Sequence, residues 1–153
     1  MQTKGKVLVT GGTGFIGTEL VEQLHANGYE VTILDKKDKP IGLEHVKYIQ
    51  GDLSNPARCV MACASQDYVI HLAAKARIPE SFINPDAYFD ANVTGTRNIL
   101  TAASAVGIRK FVYAGSSSVY GNNTAPNKPN HKPDPLNYYA MSKLFARKSI
   151  RRM

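Results

Sequence analysis

At 153 residues the chain fits one domain, expected to span residues 1–153 and long enough to bury about two-thirds of its unfolded surface. Its 43% hydrophobic and 20% charged residues fit an ordinary soluble globular protein, and no apolar run nears the roughly 20 residues of a membrane span. The net charge of +7 is spread out; its clusters, Lys36, Lys37, Lys39 and the tail Arg147–Arg152, are not interleaved with aromatics, which argues against nucleic acid as a partner.

No signal peptide precedes Met1-Gln2-Thr3-Lys4, so a cytoplasmic placement is expected. Cys59 and Cys63 stand four apart in a helical pattern, which fits neither a metal site nor a redox CxxC. They read as reduced packing thiols. No metal is expected.

In chain order, Lys6-Val7-Leu8-Val9-Thr10 reads as a first strand and Glu19–Leu24 as helical. Between them lies Gly11-Gly12-Thr13-Gly14-Phe15-Ile16-Gly17. Strand, glycine turn and helix start in that order make a pyrophosphate site, because unpaired N–H groups and the helix dipole face the anion. Gly11 serves the turn, Gly14 lets backbone approach phosphate, and Gly17 lets the helix pack closely. Phe15 and Ile16 open the helix at the same place.

A second strand, Glu30–Leu34, closes at Asp35, 18 residues after Gly17 and near the spacing expected for a group that hydrogen-bonds an adenosine ribose. A carboxylate there repels the extra phosphate of NADP, so NAD is favoured over NADP. Lys36, Lys37 and Lys39 pull the other way, unless they form a solvated loop.

A third strand, Val46–Gln50, ends at Gly51-Asp52. A short helix is expected from Asn55 to Ala64, with Ser54 as its cap and Pro56 in its first turn. A fourth strand, Asp67–Leu72, enters the small-residue turn Ala73-Ala74, with His71 a packed strand residue. One long helix is expected from Pro85-Asp86 through Asn92 to the stop at Gly107. Arg109–Ala114 is a fifth strand, Gly121–Pro135 an irregular loop, and a last helix begins near Leu136 and runs to the end. The alternation predicts an α/β fold, a doubly wound, Rossmann-like parallel sheet of about five strands. In such a sheet the Gly11–Gly17 turn, Asp35, Asp52, Ala73-Ala74 and Ser116 would face one crevice.

Ser116-Ser117-Ser118 follows the fifth strand, and Tyr139-Ala140-Met141-Ser142-Lys143 opens the last helix. Residues four apart share a helix face, so the Tyr139 hydroxyl and the Lys143 ammonium can share a site. A free tyrosine titrates near 10, and a cation beside a tyrosine favours the phenolate that takes a proton at neutral pH. Tyr139 then serves as the acid/base, Lys143 as its cationic support, and Ser116 as a hydrogen-bond partner for the reacting oxygen. Tyr138 stands five residues from Lys143, off that face.

With T-G-G-T-G-F-I-G (Thr10–Gly17), Asp35, G-D-L (Gly51–Leu53), H-L-A-A (His71–Ala74), N-V-T-G-T (Asn92–Thr96), S-S-S-V-Y-G (Ser116–Gly121) and Y-A-M-S-K (Tyr139–Lys143), the chain resembles the N-terminal part of an extended short-chain dehydrogenase/reductase of the NAD-dependent nucleotide-sugar epimerase/dehydratase family. The resemblance implies that Asp52 and Leu53 contact the adenine end and that Ala73 and Ala74 line the cofactor. It implies that Ser116 holds the catalytic Ser/Thr position and that Asn92 lies near the active site. Ser81, Ser116 and Ser117 would face substrate.

It further implies NAD-dependent oxidation of a nucleotide-sugar hydroxyl, as in epimerisation, dehydration or decarboxylation. The alternatives are a non-catalytic NAD-binding module or subunit, and a short-chain reductase of another small substrate. Family members are longer, so the resemblance implies a domain cut within or just after the Tyr139–Lys143 helix, without the substrate lobe. The face so exposed would be covered by a second copy of the chain or a partner chain.

Overall fold

A computed structural model of the chain describes residues 3–123 and 126–150. Residues divide into two compact units, Met1–Ala73 with Asn98–Ala114, and Ala74–Arg97 with Gly115–Met153.

The first unit is a five-stranded, wholly parallel sheet: β1 (Lys6–Thr10), β2 (Glu30–Asp35), β3 (Lys47–Gln50), β4 (Tyr68–His71) and β5 (Lys110–Tyr113), in the order β3-β2-β1-β4-β5. This is the Rossmann-like arrangement expected from the alternating pattern. In β1, Val7 pairs with Val31 on one side and Tyr68 on the other, so it is the central strand. That explains its unbroken apolar run Val7-Leu8-Val9, since a central parallel strand is covered on both faces.

Side-chain alternation divides the core into two layers. Val7, Val9, Val31 and Ile33 pack with Val21 of α1 (Phe15–Ala26) on one face. Leu8, Leu34 and Val69 pack on the other with Cys59, Ala62 and Cys63 of α2 (Pro56–Cys63) and with Ile99, Ala102 and Ala103. Both thiols are fully buried, and burial pushes them up to about 11 for Cys59 and about 12 for Cys63. They are packing residues. No described helix is long and apolar enough to cross a membrane.

The cap of α2 differs from expectation. Asn55, not Ser54, accepts from the N–H groups of Ala57 and Arg58, and Pro56 occupies the first turn. Ser54 stands one residue ahead of this cap, where its N–H donates to Asp52 Oδ1 at 2.9 Å.

The second unit is helical. Its first element, α3 (Ile78–Ile83), leaves no clear mark in the sequence because six residues carry too little periodicity. Pro85 then opens α4 (Pro85–Phe89), capped by the Asn84 side chain on the Ala87 N–H. The single long helix expected from here is interrupted by a π-turn at Asp90–Thr94 before α5 (Gly95–Ala105) begins. The Thr96 hydroxyl donates to the Asn92 carbonyl at 2.6 Å and so competes for an acceptor of the regular ladder.

A 3₁₀ turn spans Ser117–Tyr120, and α6 runs Tyr138–Ile150. The start of α6 lies two residues past Leu136 because Asn137 accepts from the Ala140 N–H at 2.8 Å and acts as the cap. The end of the basic tail, residues 151–153, and residues 124 and 125 of the Gly121–Pro135 loop lie outside the described residues.

Candidate functional site

In a parallel sheet every strand points the same way, so the carboxyl ends of β1 to β4 share one edge. The glycine turn follows β1 there, Asp35 ends β2, Asp52 follows β3 and Ala73 follows β4. Four of the sequence-predicted positions therefore meet in the sheet unit.

The glycines are required sterically. Gly11 has φ +72°, and a Cβ there would lie 2.8 Å from the Ala73 backbone. A Cβ on Gly17 would lie 2.3 Å from the Gly11 carbonyl oxygen and 2.7 Å from Gly12 Cα, so only glycine lets the helix start against the turn. Gly12, which has no assigned task in the motif, would meet Ile33 at 2.9 Å. The glycine thus admits a core side chain of β2 beneath the turn.

Gly14 precedes α1 without a side-chain cap, and no acid stands in the first turn. The positive end of α1 is therefore left to an outside anion. Phe15 and Ile16, at the same helix start, are 99% and 68% exposed.

Asp35 is half-buried and engaged by the turn itself: its Oδ2 accepts from the Thr13 hydroxyl at 2.7 Å and the Thr13 N–H at 3.2 Å. Its Oδ1 accepts from the Lys37 N–H at 3.2 Å. Thr13 escapes notice in the sequence, where it looks like spacer between glycines. Lys36, Lys37 and Lys39 are all exposed, and Lys39 donates to the Val46 carbonyl at 3.2 Å.

Leu53 lies in the core, and its carbonyl accepts from Asn98 Nδ2 at 2.8 Å. His71 is buried, with Nδ1 2.6 Å from Thr10 Oγ1, and its ring tilts against Phe111 and Tyr113. Thr10 Oγ1 also accepts from the Ala73 N–H at 3.3 Å, which fixes the turn after β4.

In the helical unit, Tyr139 and Lys143 lie one turn apart on α6. Lys143 is only 4% exposed, and burial pulls its amine down to about 8 from the usual 10.5. Tyr139 is half-buried, its ring edge-on to that of Tyr88 at 6.5 Å. Tyr138, set aside from spacing, is exposed and pairs edge-on with Phe82 instead.

Asn92 is almost fully buried in the π-turn. Its Oδ1 accepts from the Lys75 N–H at 2.8 Å, and its Nδ2 donates to the Lys75 carbonyl and to Ser142 Oγ, both at 2.9 Å. Ser142 Oγ in turn donates to the Tyr139 carbonyl at 2.7 Å. One amide thus ties the chain after Ala74 to the helix that carries Tyr139 and Lys143. Ser142, between them in sequence, is not singled out by pattern, because a small polar residue inside a helix gives no periodic signal.

Ser116 caps the 3₁₀ turn by accepting from the Ser118 N–H at 3.2 Å, which leaves its hydroxyl hydrogen to donate elsewhere. Ser117 is exposed. Ser81 is fully buried and donates to the Ile78 carbonyl of its own helix at 2.6 Å. Among the described residues no group of three His, Cys, Asp or Glu side chains could hold a metal ion.

The sequence model of the family described as "NAD dependent epimerase/dehydratase family" matches residues 7–153. A UDP-glucose 4-epimerase of Klebsiella pneumoniae is 37% identical over 129 residues, covering 76% of this chain and 93% of that sequence. The bifunctional UDP-glucose 4-epimerase and UDP-xylose 4-epimerase 1 of Pisum sativum is 35% identical over 92% of this chain but 45% of its own length. Among solved structures, the UDP-glucose 4-epimerase of Bifidobacterium longum in complex with NAD⁺ and UDP superposes with a TM-score of 0.88 at 31% identity. It matches 96% of this chain and 48% of that one, so the chain spans about half the length of such relatives. The family model thus matches nearly the whole chain, from the first strand onward. The chain belongs to the NAD dependent epimerase/dehydratase family.

Proposed function

We propose that the chain binds NAD and carries the acid/base residues for epimerisation of a UDP-hexose. The uncapped, acid-free start of α1 behind a turn whose Gly11 and Gly17 admit no Cβ suits a dinucleotide pyrophosphate, with Gly11, Gly14, Phe15, Ile16 and Gly17 as its backbone cradle. Asp35 would accept from the adenosine ribose, Asp52 and Leu53 would meet the adenine end, and Ala73 and Ala74 would line the cofactor. NAD, when bound, supplies a hydride acceptor.

The protein's own residues handle the proton. Tyr139 Oη takes it from the sugar hydroxyl as hydride leaves the carbon, and returns it when hydride comes back. The buried Lys143 amine, cationic below about pH 8, supports the negative charge that develops on Tyr139 Oη. Ser116 donates to the same sugar oxygen, beside Ser117. Asn92 holds the chain near this helix through Lys75 and Ser142 rather than touching substrate.

The observation that carries the reading is the burial of Lys143 one turn from Tyr139. A solvated Tyr–Lys pair at that spacing would have left the amine in water. Relatives that act on UDP-sugars make a UDP-hexose the preferred substrate class.

The test is NAD calorimetry with the 153-residue chain, followed by chromatographic assay of UDP-glucose and UDP-galactose interconversion. Saturable NAD binding is expected, and Tyr139→Phe should keep it while cutting turnover on the order of 10²–10⁴-fold. NAD binding with no UDP-sugar turnover would make the chain a binding module. Turnover unchanged in Tyr139→Phe would remove Tyr139 from the chemistry.

A further inference from the structure

We infer that Thr13 is a specificity-determining positioning residue, acting through Asp35 to favour a cofactor with a bare adenosine ribose over one with a 2′-phosphate. The inference deepens the NAD reading above and rests on it.

A carboxylate offers about four acceptor positions over two oxygens. At Asp35, Oδ2 takes both the Thr13 hydroxyl and the Thr13 N–H, and Oδ1 takes the Lys37 N–H. Three donors from two separate segments hold the carboxylate plane. Oδ2 is thereby committed to the turn, and the open position is on Oδ1, where a ribose hydroxyl can donate.

Without the hydroxyl of Thr13, the shortest of the three bonds is gone, and only the two contacts of 3.2 Å resist rotation of the side chain. A carboxylate able to turn aside no longer repels a 2′-phosphate. The exposed lysines next in sequence, Lys36 and Lys37, then become attractive to it. The basic pair after an acid, contradictory when read as sequence, becomes a balance that Thr13 holds on the NAD side.

The experiment titrates NAD and NADP into wild type, Thr13→Val and Thr13→Ser by calorimetry. Thr13→Val keeps the shape and removes the hydroxyl, whereas Thr13→Ser keeps the hydroxyl. Thr13→Val should weaken NAD about fivefold and narrow the preference for NAD over NADP about tenfold, with Thr13→Ser close to wild type. If Thr13→Val does not fold, Thr13→Ala removes the same hydroxyl and serves in its place.

Equal loss for both cofactors would mean a purely structural threonine and would overturn the inference, as would no change. Failure of wild type to bind NAD would overturn the NAD reading and the inference with it. Normal NAD binding by wild type with an unaltered preference in the variants would overturn the inference alone.

Discussion

In the sheet unit, polar groups stand where strands end, and glycines keep side chains out of the space around them. In the helical unit the polar groups are themselves buried, and each is held by another: Asn92 by Lys75 and Ser142, Ser142 by Tyr139. The first arrangement is set by backbone shape and leaves room for a large anion. The second excludes water from a charged amine. Binding a cofactor needs an open cradle, whereas tuning a proton-transfer group needs a dry one, and on the function proposed above those demands would fall on different units.

The contrast can be broken most sharply at Gly17. If backbone shape governs the sheet unit, Gly17→Ala forces its Cβ into the Gly11 carbonyl and should cost about 3–4 kcal/mol in urea unfolding, with NAD affinity lost beyond detection. A stable, NAD-binding Gly17→Ala protein would refute that account.

Next in size, Asn92→Ala strips three hydrogen bonds from the helical unit and leaves the Lys75 backbone and Ser142 wanting. It should cost about 3 kcal/mol by urea denaturation while leaving the glycine turn intact. A cost below about 1 kcal/mol would show that the buried network does not hold this unit together.

The smallest effect is a pH dependence. The folded Lys143 amine titrates near 8, below the ordinary 10.5, so the unfolded chain binds that proton more tightly. The resulting cost is fully present below pH 8 and fades as pH rises toward 10.5. Relative to Lys143→Met, wild type should therefore gain up to about 2–3 kcal/mol between pH 7 and pH 10. Parallel stability curves for the two proteins would contradict a desolvated amine.

Reading from sequence succeeds where one residue's chemistry suffices. The apolar run of Lys6–Thr10 and the β-branched pattern of Glu30–Asp35 mark both strands, and the glycine spacing locates the turn. It fails where the deciding partner is distant in sequence. Thr13 gains meaning only from Asp35, 22 residues on, and Ser142 only from Asn92, 50 residues before. The cap falls on Asn55 and not on Ser54, two adjacent residues that both carry a capping oxygen and so are not told apart by local pattern. The π-turn escapes for a related reason: its sequence, Asp90–Thr94, contains no proline or glycine to mark a break.

That turn also changes what a length variation in this helix would do. Tyr88, Asn92 and Thr96 are all buried and spaced by fours. In a regular helix each four-residue step overshoots a full turn by about 40°, so the three would drift by about 80° across one buried stripe. The wide turn acts as a phase correction that brings them back into line. The wide turn holds one residue more than an α-turn, so deleting one residue between 90 and 94 would restore an ordinary α-helix and leave the start of α5 close to its present heading. The helix would be shortened by one residue and the damage would be local: the amide at position 92 would face somewhere other than Lys75 and Ser142.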